Sequence, residues 1–247
     1  MKILVSNDDG YLSPGIKILV GHLKKIADVV VVAPEKNKSG SSSSLSLNKG
    51  IAVSKINSML YCVGGTPTDC VHIALTGLIP FKPDMVISGI NDGANMGDDT
   101  IYSGTVGAAM EGFLLGIPSI AVSMGSPEPK YFETAAKVII DLIERHKEQP
   151  HKNVTLLNVN VPDVPYAEIK GLEITRLGKR YGAQPAIKRA GVDGKDLYWV
   201  GAVGEPNDGG PGTDFFAIMN NYVSISPIQS DLTNYKETDL IKKWMKL

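Results

Sequence analysis

Apolar residues in the first 150 positions form short continuous runs that alternate with segments of helical spacing. Continuous runs of Val, Ile and Leu are typical of strands buried on both faces of a parallel sheet. They predict strands at 3–6, 29–33, 84–88, 118–122 and 154–161. Apolar residues recurring every three or four positions between them predict helices over 14–26, 66–78, 103–115 and 129–147. This alternation predicts an α/β fold, a Rossmann-like, doubly wound and mostly parallel sheet.

The pattern changes after about residue 150, where strand-like runs, turns and a glycine-rich loop at 204–212 replace the alternation. We find no clean linker and no repeat of fixed period. We therefore expect a single domain over 1–247, with a Rossmann-like core at 1–150 and a strand-rich C-terminal elaboration at 151–247. Two short apolar runs around the turn at 48–50, residues 45–47 and 51–54, further predict a hairpin.

Composition excludes several classes of protein. The chain is 43% hydrophobic and 21% charged, as soluble globular proteins are. A net charge of −1 argues against binding to duplex nucleic acid or to a membrane surface. No apolar run approaches the roughly 20 residues of a membrane span, and the N-terminus shows no leader pattern. We therefore expect a cytoplasmic protein. Cys62 and Cys70 fit no zinc or redox motif.

Three loops that follow predicted strands carry small oxygen-bearing side chains, namely Asp8 and Asp9, Asn37 and Ser39, and Asn91, Asp92 and Asn95. Loops at the carboxyl ends of parallel strands open on the same edge of the sheet, so these side chains are expected to converge. Carboxylate, hydroxyl and amide oxygens suit hard cations such as Mg²⁺, Mn²⁺ or Ca²⁺. The alternative for the first loop is a plain turn, since Asn, Asp and Gly also supply turn geometry.

The segment 102–106, with the sequence YSGTV, enters the helix that follows the third loop. Its free backbone N–H groups, two hydroxyls and helix dipole predict a site for an anion. The alternative is an ordinary N-cap, because Ser and Thr are favoured capping residues. A cation beside an anion site is an arrangement that handles phosphate. None of the four histidines suggests a metal cluster or a catalytic triad.

Several segments together resemble the family of the stationary-phase survival protein SurE. They are VSNDDG at 5–10, VAP at 32–34 with NKSG at 37–40, GTPTDCV at 65–71, SGINDGANMG at 88–97, YSGTV at 102–106, YVSISP at 222–227 and DLT at 231–233. The resemblance covers nearly the whole chain in order. It is therefore far more specific than any single loop.

The resemblance implies a metal-dependent phosphomonoesterase that hydrolyses nucleoside 5′- and 3′-monophosphates to nucleoside and phosphate. It implies one divalent cation per subunit, Mg²⁺ or Mn²⁺, with the ligands Asp8, Asp9, Ser39 and Asn91. The same likeness places the substrate phosphate at Asn95, Ser103, Gly104 and Thr105. We expect Asp8, Asp9 and Asn95 to take part in catalysis, either aspartate accepting a proton from water.

Three other interpretations stay open. Asp8 could act as a covalent phosphoryl acceptor, although the adjacent aspartates differ from the Asp-x-Asp pattern of enzymes that do so. The protein could be a nucleotide sensor without catalysis, or a sugar-transferring enzyme with an acidic metal pair. A cation next to the anion site favours catalysis. The low aromatic content of 6% disfavours the sugar-transferring enzyme.

The last residues predict a helix with one apolar face. Leu240, Ile241, Trp244 and Leu247 share this face, and lysines lie on the other. The helix could pack on its own subunit or on a partner, and the pattern alone does not decide between them. The resemblance implies a partner, because SurE proteins are dimers that exchange C-terminal segments. We therefore expect a homodimer, or a homotetramer built from dimers.

Overall fold

A nine-stranded sheet forms the centre of the molecule, in a computed structural model that describes residues 1–151, 153–191 and 194–247. Its strands are β1 (Lys2–Ser6), β2 (Asp28–Pro34), β3 (Val53–Asn57), β4 (Leu60–Val63), β5 (Met85–Asn91), β6 (Ser119–Met124), β7 (Leu156–Val161), β8 (Gly171–Ile174) and β13 (Tyr222–Pro227). The small strands β9 (Lys179–Arg180) and β12 (Pro206–Asp208) form one separate pair, and β10 (Ile187–Ala190) and β11 (Asp196–Trp199) form another.

The strand order is β3-β4-β2-β1-β5-β6-β7-β13-β8. From β4 to β7 every neighbouring pair is parallel, while β3 pairs antiparallel with β4 and β13 pairs antiparallel with β7. The predicted α/β class with a mostly parallel sheet is confirmed. Because β2, β1 and β5 are neighbours, the three loops that follow them leave the sheet side by side.

Helices cover both faces of this sheet. They are α1 (Pro14–Leu23), α2 (Pro67–Ile73) continued by a π-helical turn, α3 (Gly104–Leu114), α4 (Phe132–Glu148) and α5 (Asp214–Met219). A sixth helix, α6 (Tyr235–Met245), lies outside these layers with all of its residues exposed. On one face, α1 and α4 pack over Ile3 and Val5. On the other face, α2 and α3 pack over Leu4. All three of these β1 residues are fully buried, as a strand covered on both sides requires.

The hairpin predicted around residues 48–50 is wrong. Residues 45–47 form no strand, and the antiparallel pair is instead β3 with β4. The backbone at residues 44–46 is hydrogen-bonded to the start of α2 instead of to a neighbouring strand. Ser46 N–H donates to Asp69 (2.8 Å), and the Thr66 hydroxyl donates to Ser44 C=O (2.7 Å). Thr66 and Asp69 form the capping box of α2, so the same two residues that start this helix also bind the loop at residues 44–46.

The C-terminal part of the chain extends the same sheet, because β13 pairs with β7 and β8 pairs with β13. Asp214 is fully buried and ties this part to the loop after β5, since it accepts hydrogen bonds from Gly97 N–H (2.7 Å) and Gly178 N–H (2.9 Å). The division into a core and an elaboration stays a prediction. No helix within the described residues is long and apolar enough to cross a membrane.

Two glycines of α1 provide a matched test of its packing. A Cβ atom on Gly15 would lie 2.0 Å from the carbonyl oxygen of Ile90 in β5, whereas a Cβ on Gly21 would meet nothing within 4 Å. We expect Gly15→Ala to lower the free energy of unfolding by about 1–3 kcal/mol through backbone displacement. Gly21→Ala should raise it by about 0.5–1 kcal/mol through helix propensity. Urea denaturation measures both. Equal effects would contradict the contact of α1 with β5.

Candidate active site

Asp8 and Asp9 lie in the turn directly after β1. The side chain of Asn7 closes this turn, because its Nδ2 donates to Gly10 C=O (3.0 Å) and to Ser13 Oγ (2.9 Å). Asp8 is only 3% exposed, and Asp9 is partly buried. Two neighbouring carboxyl groups are therefore held at the carboxyl edge of the sheet, where α/β proteins bind their ligands.

The N-terminus of α3 presses directly against Asp8. The hydroxyl of Thr105 donates a hydrogen bond to Asp8 Oδ1. A Cβ atom on Gly104 would lie 2.9 Å from Asp8 Cβ and 2.6 Å from Ser41 Oγ, so only glycine allows this approach. Lys38 N–H, from the loop after β2, donates to the backbone carbonyl of Asp8 (2.7 Å). Asp8 is therefore in contact with the N-terminus of α3 on one side and is hydrogen-bonded to the loop after β2 through its backbone.

Burial raises the pKa of Asp8, against the opposing hydrogen bonds from Thr105 and from the first backbone N–H groups of α3. The pKa of Asp9 is raised to about 6, first by burial and then by the charges of Asp8 and Asp92, although the N–H of Asp92 opposes the rise. Neither carboxyl group has a Lys, Arg or His partner in the part of the chain that the structure describes. Such a pair is poised to accept a cation.

The other two loops reach the same place, as the sequence predicts. Asn37 Nδ2 lies 3.5 Å from Asp9 Oδ1, and Asn37 Oδ1 accepts hydrogen bonds from Ser39 N–H (2.8 Å) and Ser39 Oγ (2.7 Å). Asp92 N–H donates to Asp9 Oδ2 (3.1 Å). Asn91 Nδ2 donates to Gly93 C=O (2.8 Å), which fixes the orientation of its amide. Asp9 therefore links all three loops.

A pocket of about 260 Å³ opens between these loops and the start of α3. Its wall includes five of the predicted residues, Asp8, Ser39, Asn91, Asn95 and Ser103. The wall also includes Asp99, which was not predicted as a site residue, and the exposed Tyr102, the first residue of the predicted anion-binding segment 102–106. Both lie at the helical turn Gly97–Ile101 and just beyond it, between the third loop and α3. The signal that could have identified Asp99 is its position shortly before the predicted anion-binding segment.

The two hydroxyls of the predicted anion site have partners within the protein. Ser103 Oγ accepts a hydrogen bond from Val106 N–H (3.1 Å), so Ser103 is the N-cap of α3, the alternative that the sequence left open. The fully buried Thr105 binds Asp8. The Thr105 hydroxyl, which the resemblance places at the substrate phosphate, is thus bonded in this structure to a predicted metal ligand. Asn95 and Ser103 remain on the pocket wall.

The residues present fit a hard cation better than zinc. Asp8, Asp9, Ser39 and Asn91 offer only oxygen atoms, the ligands that Mg²⁺ and Mn²⁺ prefer. Among the described residues, no group of three or more His, Cys, Asp or Glu side chains is arranged to hold a metal ion. His22 and His72 pair instead with Glu133 (2.5 Å) and Glu111 (2.7 Å). Cys62 and Cys70 are buried free thiols.

The fold and the pocket together define a class of protein, a doubly wound α/β protein with an oxygen-rich acidic site at the carboxyl edge of its sheet. The family model described as "Survival protein SurE" matches residues 3–184. This chain belongs to the SurE family.

Full-length relatives agree with this assignment. The chain is 57% identical to a protein of Methylobacillus flagellatus and 57% identical to one of Nitrosomonas europaea, each over the whole of both chains. Both relatives are named 5′-nucleotidase SurE. The crystal structure of the SurE protein from Aquifex aeolicus superposes with a TM-score of 0.87 at 44% identity, covering 99% of this chain and 100% of that one.

The raised pKa of Asp9 predicts an unusual pH dependence of stability in the metal-free protein. A carboxyl with a pKa of about 6 when folded and about 4 when unfolded holds its proton more tightly in the folded state. The free energy of unfolding therefore falls as the pH rises from about 4 to about 6, and the deficit persists at neutral pH. Asp9→Asn should remove this deficit.

We expect Asp9→Asn to be more stable than the unaltered protein by about 1 kcal/mol at pH 7.5, because partial exposure screens much of the repulsion. This corresponds to a rise in Tm of about 2–4 °C. Thermal unfolding in chelator at pH 4.5 and 7.5 measures it, with the exposed Asp28→Asn at the opposite end of β2 as the control. A stability gain at both pH values alike would contradict the raised pKa.

Proposed function

We propose that this chain is a 5′-nucleotidase, a phosphomonoesterase that releases phosphate from nucleoside monophosphates. The observation that carries the proposal is the pair Asp8 and Asp9, held without a cationic partner among the described residues beside the N-terminus of α3. The full-length relatives named 5′-nucleotidase SurE support it. Hydrolysis of 3′-monophosphates and a cytoplasmic location stay predictions.

The proposed cofactor is one divalent cation per subunit, Mg²⁺ or Mn²⁺, with Asp8, Asp9, Ser39 and Asn91 as ligands. The oxygen-only character of this set supports the choice of metal. When bound, such a cation polarises phosphoryl oxygens and lowers the pKa of a coordinated water.

The protein's own residues divide the remaining tasks. Asn95, on the pocket wall, donates from its amide to the phosphoryl oxygens, where charge builds during hydrolysis. Asp8 or Asp9 accepts the proton of the attacking water, since both carboxyl groups lie at the site and each already accepts hydrogen bonds that hold it in place. Thr105 keeps the carboxyl of Asp8 in a fixed orientation.

We further propose that the protein is a homodimer, with the homotetramer as the next assembly. Within the described residues the apolar face of α6 is left largely uncovered: Leu240, Ile241 and Trp244 are 55%, 52% and 76% exposed, and Leu247 beyond the helix is 91% exposed. A helical face of this kind with a tryptophan is typical of a binding hot spot. A second copy of the chain is the proposed occupant.

The proposed activity predicts the behaviour of two isosteric variants. Asp8→Asn and Asp9→Asn should each lower phosphate release from nucleoside 5′-monophosphates by at least about 100-fold, because each removes a charge from a site for a hard cation. Phosphate is measured over a panel of 5′- and 3′-nucleotides, with chelator and with added Mg²⁺ or Mn²⁺. Asp196→Asn, in the separate β10–β11 pair, is the control and should retain full activity.

Two results would contradict the proposal in different ways. Full activity of either site variant in chelator would remove these aspartates from the reaction. Tight nucleotide binding by the unaltered chain without any phosphate release would favour the nucleotide sensor instead.

The dimer proposal predicts the effect of a truncation. Removing residues 240–247 should convert the dimer to a monomer in sedimentation experiments and lower the Tm, because the apolar face of α6 is lost. Lys243→Ala, an exposed residue of the same helix, should leave the dimer intact. A truncated chain that sediments as the same dimer would exclude α6 as the contact.

A further inference from the structure

Three buried polar side chains that are not part of the pocket wall are hydrogen-bonded to Asn95. Asn158 and Asn160 come from β7, Ser123 comes from β6, and all three are fully buried. Strands covered on both faces are normally apolar, because a buried amide costs about 1–3 kcal/mol unless it is hydrogen-bonded. Two asparagines at alternate positions of such a strand therefore call for an explanation beyond sheet stability.

All three side chains bind Asn95. Asn160 binds both backbone polar groups of Asn95, since its Oδ1 accepts from the N–H (2.9 Å) and its Nδ2 donates to the C=O (3.0 Å). Asn158 Nδ2 donates to the same carbonyl (2.8 Å). Ser123 Oγ accepts from Asn95 Nδ2 (2.8 Å). The backbone of Asn95 is therefore fixed from β7 and its side chain from β6.

This pattern leaves a defined part of Asn95 for a ligand. The contact with Ser123 uses one N–H of the Asn95 amide. Among the described residues the second N–H and Oδ1 make no hydrogen bond, so they remain for the pocket that this residue lines. A side chain that donates to a developing phosphoryl charge works only when it is held in place before the reaction.

We propose that Asn158 and Asn160, together with Ser123, are positioning residues for the phosphate-binding amide of Asn95. This proposal rests on the function proposed above. They act through Asn95 and do not touch the substrate. In the described part of the chain, Oδ1 of Asn158 has no hydrogen-bond partner, so this asparagine carries an energetic cost that a leucine would avoid.

A double-mutant cycle tests the proposal. Asn160→Ala should lower kcat/KM for nucleoside 5′-monophosphate hydrolysis by about 10- to 100-fold, since small displacements of a reacting group cost this much. In the Asn95→Ala background the same change should lower kcat/KM by less than about threefold, because the group being positioned is absent. Calorimetric affinities for Mn²⁺ should change little in either case. Affinity for inorganic phosphate should follow the same non-additive pattern.

Asn158→Leu separates positioning from stability. It replaces an amide that has an unpartnered oxygen by an apolar side chain of similar size, so the Tm should be unchanged or higher. The kcat should nevertheless fall. Ser226→Ala is the matched control on the adjacent β13: Ser226 is buried and bonded to Thr175 (2.7 Å), and its loss should lower the Tm with kcat unchanged.

Additive losses of kcat/KM in the double-mutant cycle would overturn the proposal. So would a kcat that falls in proportion to Tm across the variants of Asn95, Asn158, Asn160 and Ser226, because the cluster would then have only a structural role. Retention of full kcat by Asn158→Leu would remove Asn158 from the positioning role. If the unaltered protein hydrolyses no nucleotide, the proposed function fails, and the phosphate affinities alone then decide whether these residues position Asn95.

Discussion

The contact between Asp8 and the N-terminus of α3 is the constraint on which the site depends. A carboxyl group buried this deeply needs hydrogen-bond donors, and α3 supplies the Thr105 hydroxyl and its first backbone N–H groups. The approach is possible only because residue 104 is glycine. The first turn of α3 therefore stabilises an aspartate of the protein itself, which moves the proposed phosphate contacts outward to Asn95 and the pocket wall.

The same close approach shapes the serine-rich loop after β2. A Cβ atom on Gly107 would lie 2.6 Å from the carbonyl oxygen of Ser42, so this loop rests directly on α3. Ser42 also bonds to Tyr102 C=O through its N–H (3.1 Å), and Ser46 is bound to Asp69 of α2. A run of serines usually indicates flexibility. Here the run is attached to α2 and α3 at several points, and Ser39 at its start lies on the pocket wall.

The parts of the structure that depend on local pattern could be predicted from the sequence. Continuous apolar runs identified β1, β2 and β5, and their parallel order brought Asp9, Asn37 and Asp92 together. The prediction of a hairpin at residues 45–54 was wrong because the backbone at residues 44–46 is hydrogen-bonded to the start of α2, and no local pattern indicates this contact. The hydrogen bond between Asn95 and Asn160, which lie 65 positions apart, could likewise not be predicted from the local sequence around either residue. The sequence NVN inside an otherwise apolar strand was the available signal.

The late part of the chain is as necessary to the pocket as the early part. The helical turn that carries Asp99 is held from the C-terminal side, since Arg180 Nε donates to Asp99 (2.7 Å) and the buried Asp214 accepts from Gly97 N–H. The strand that follows residue 150 supplies the two asparagines behind Asn95. A core of residues 1–150 alone would keep the aspartate pair but lose all of these contacts with the third loop and the turn that follows it. The part of the chain after residue 150 therefore holds the third loop of the pocket in place, although the sequence pattern changes there.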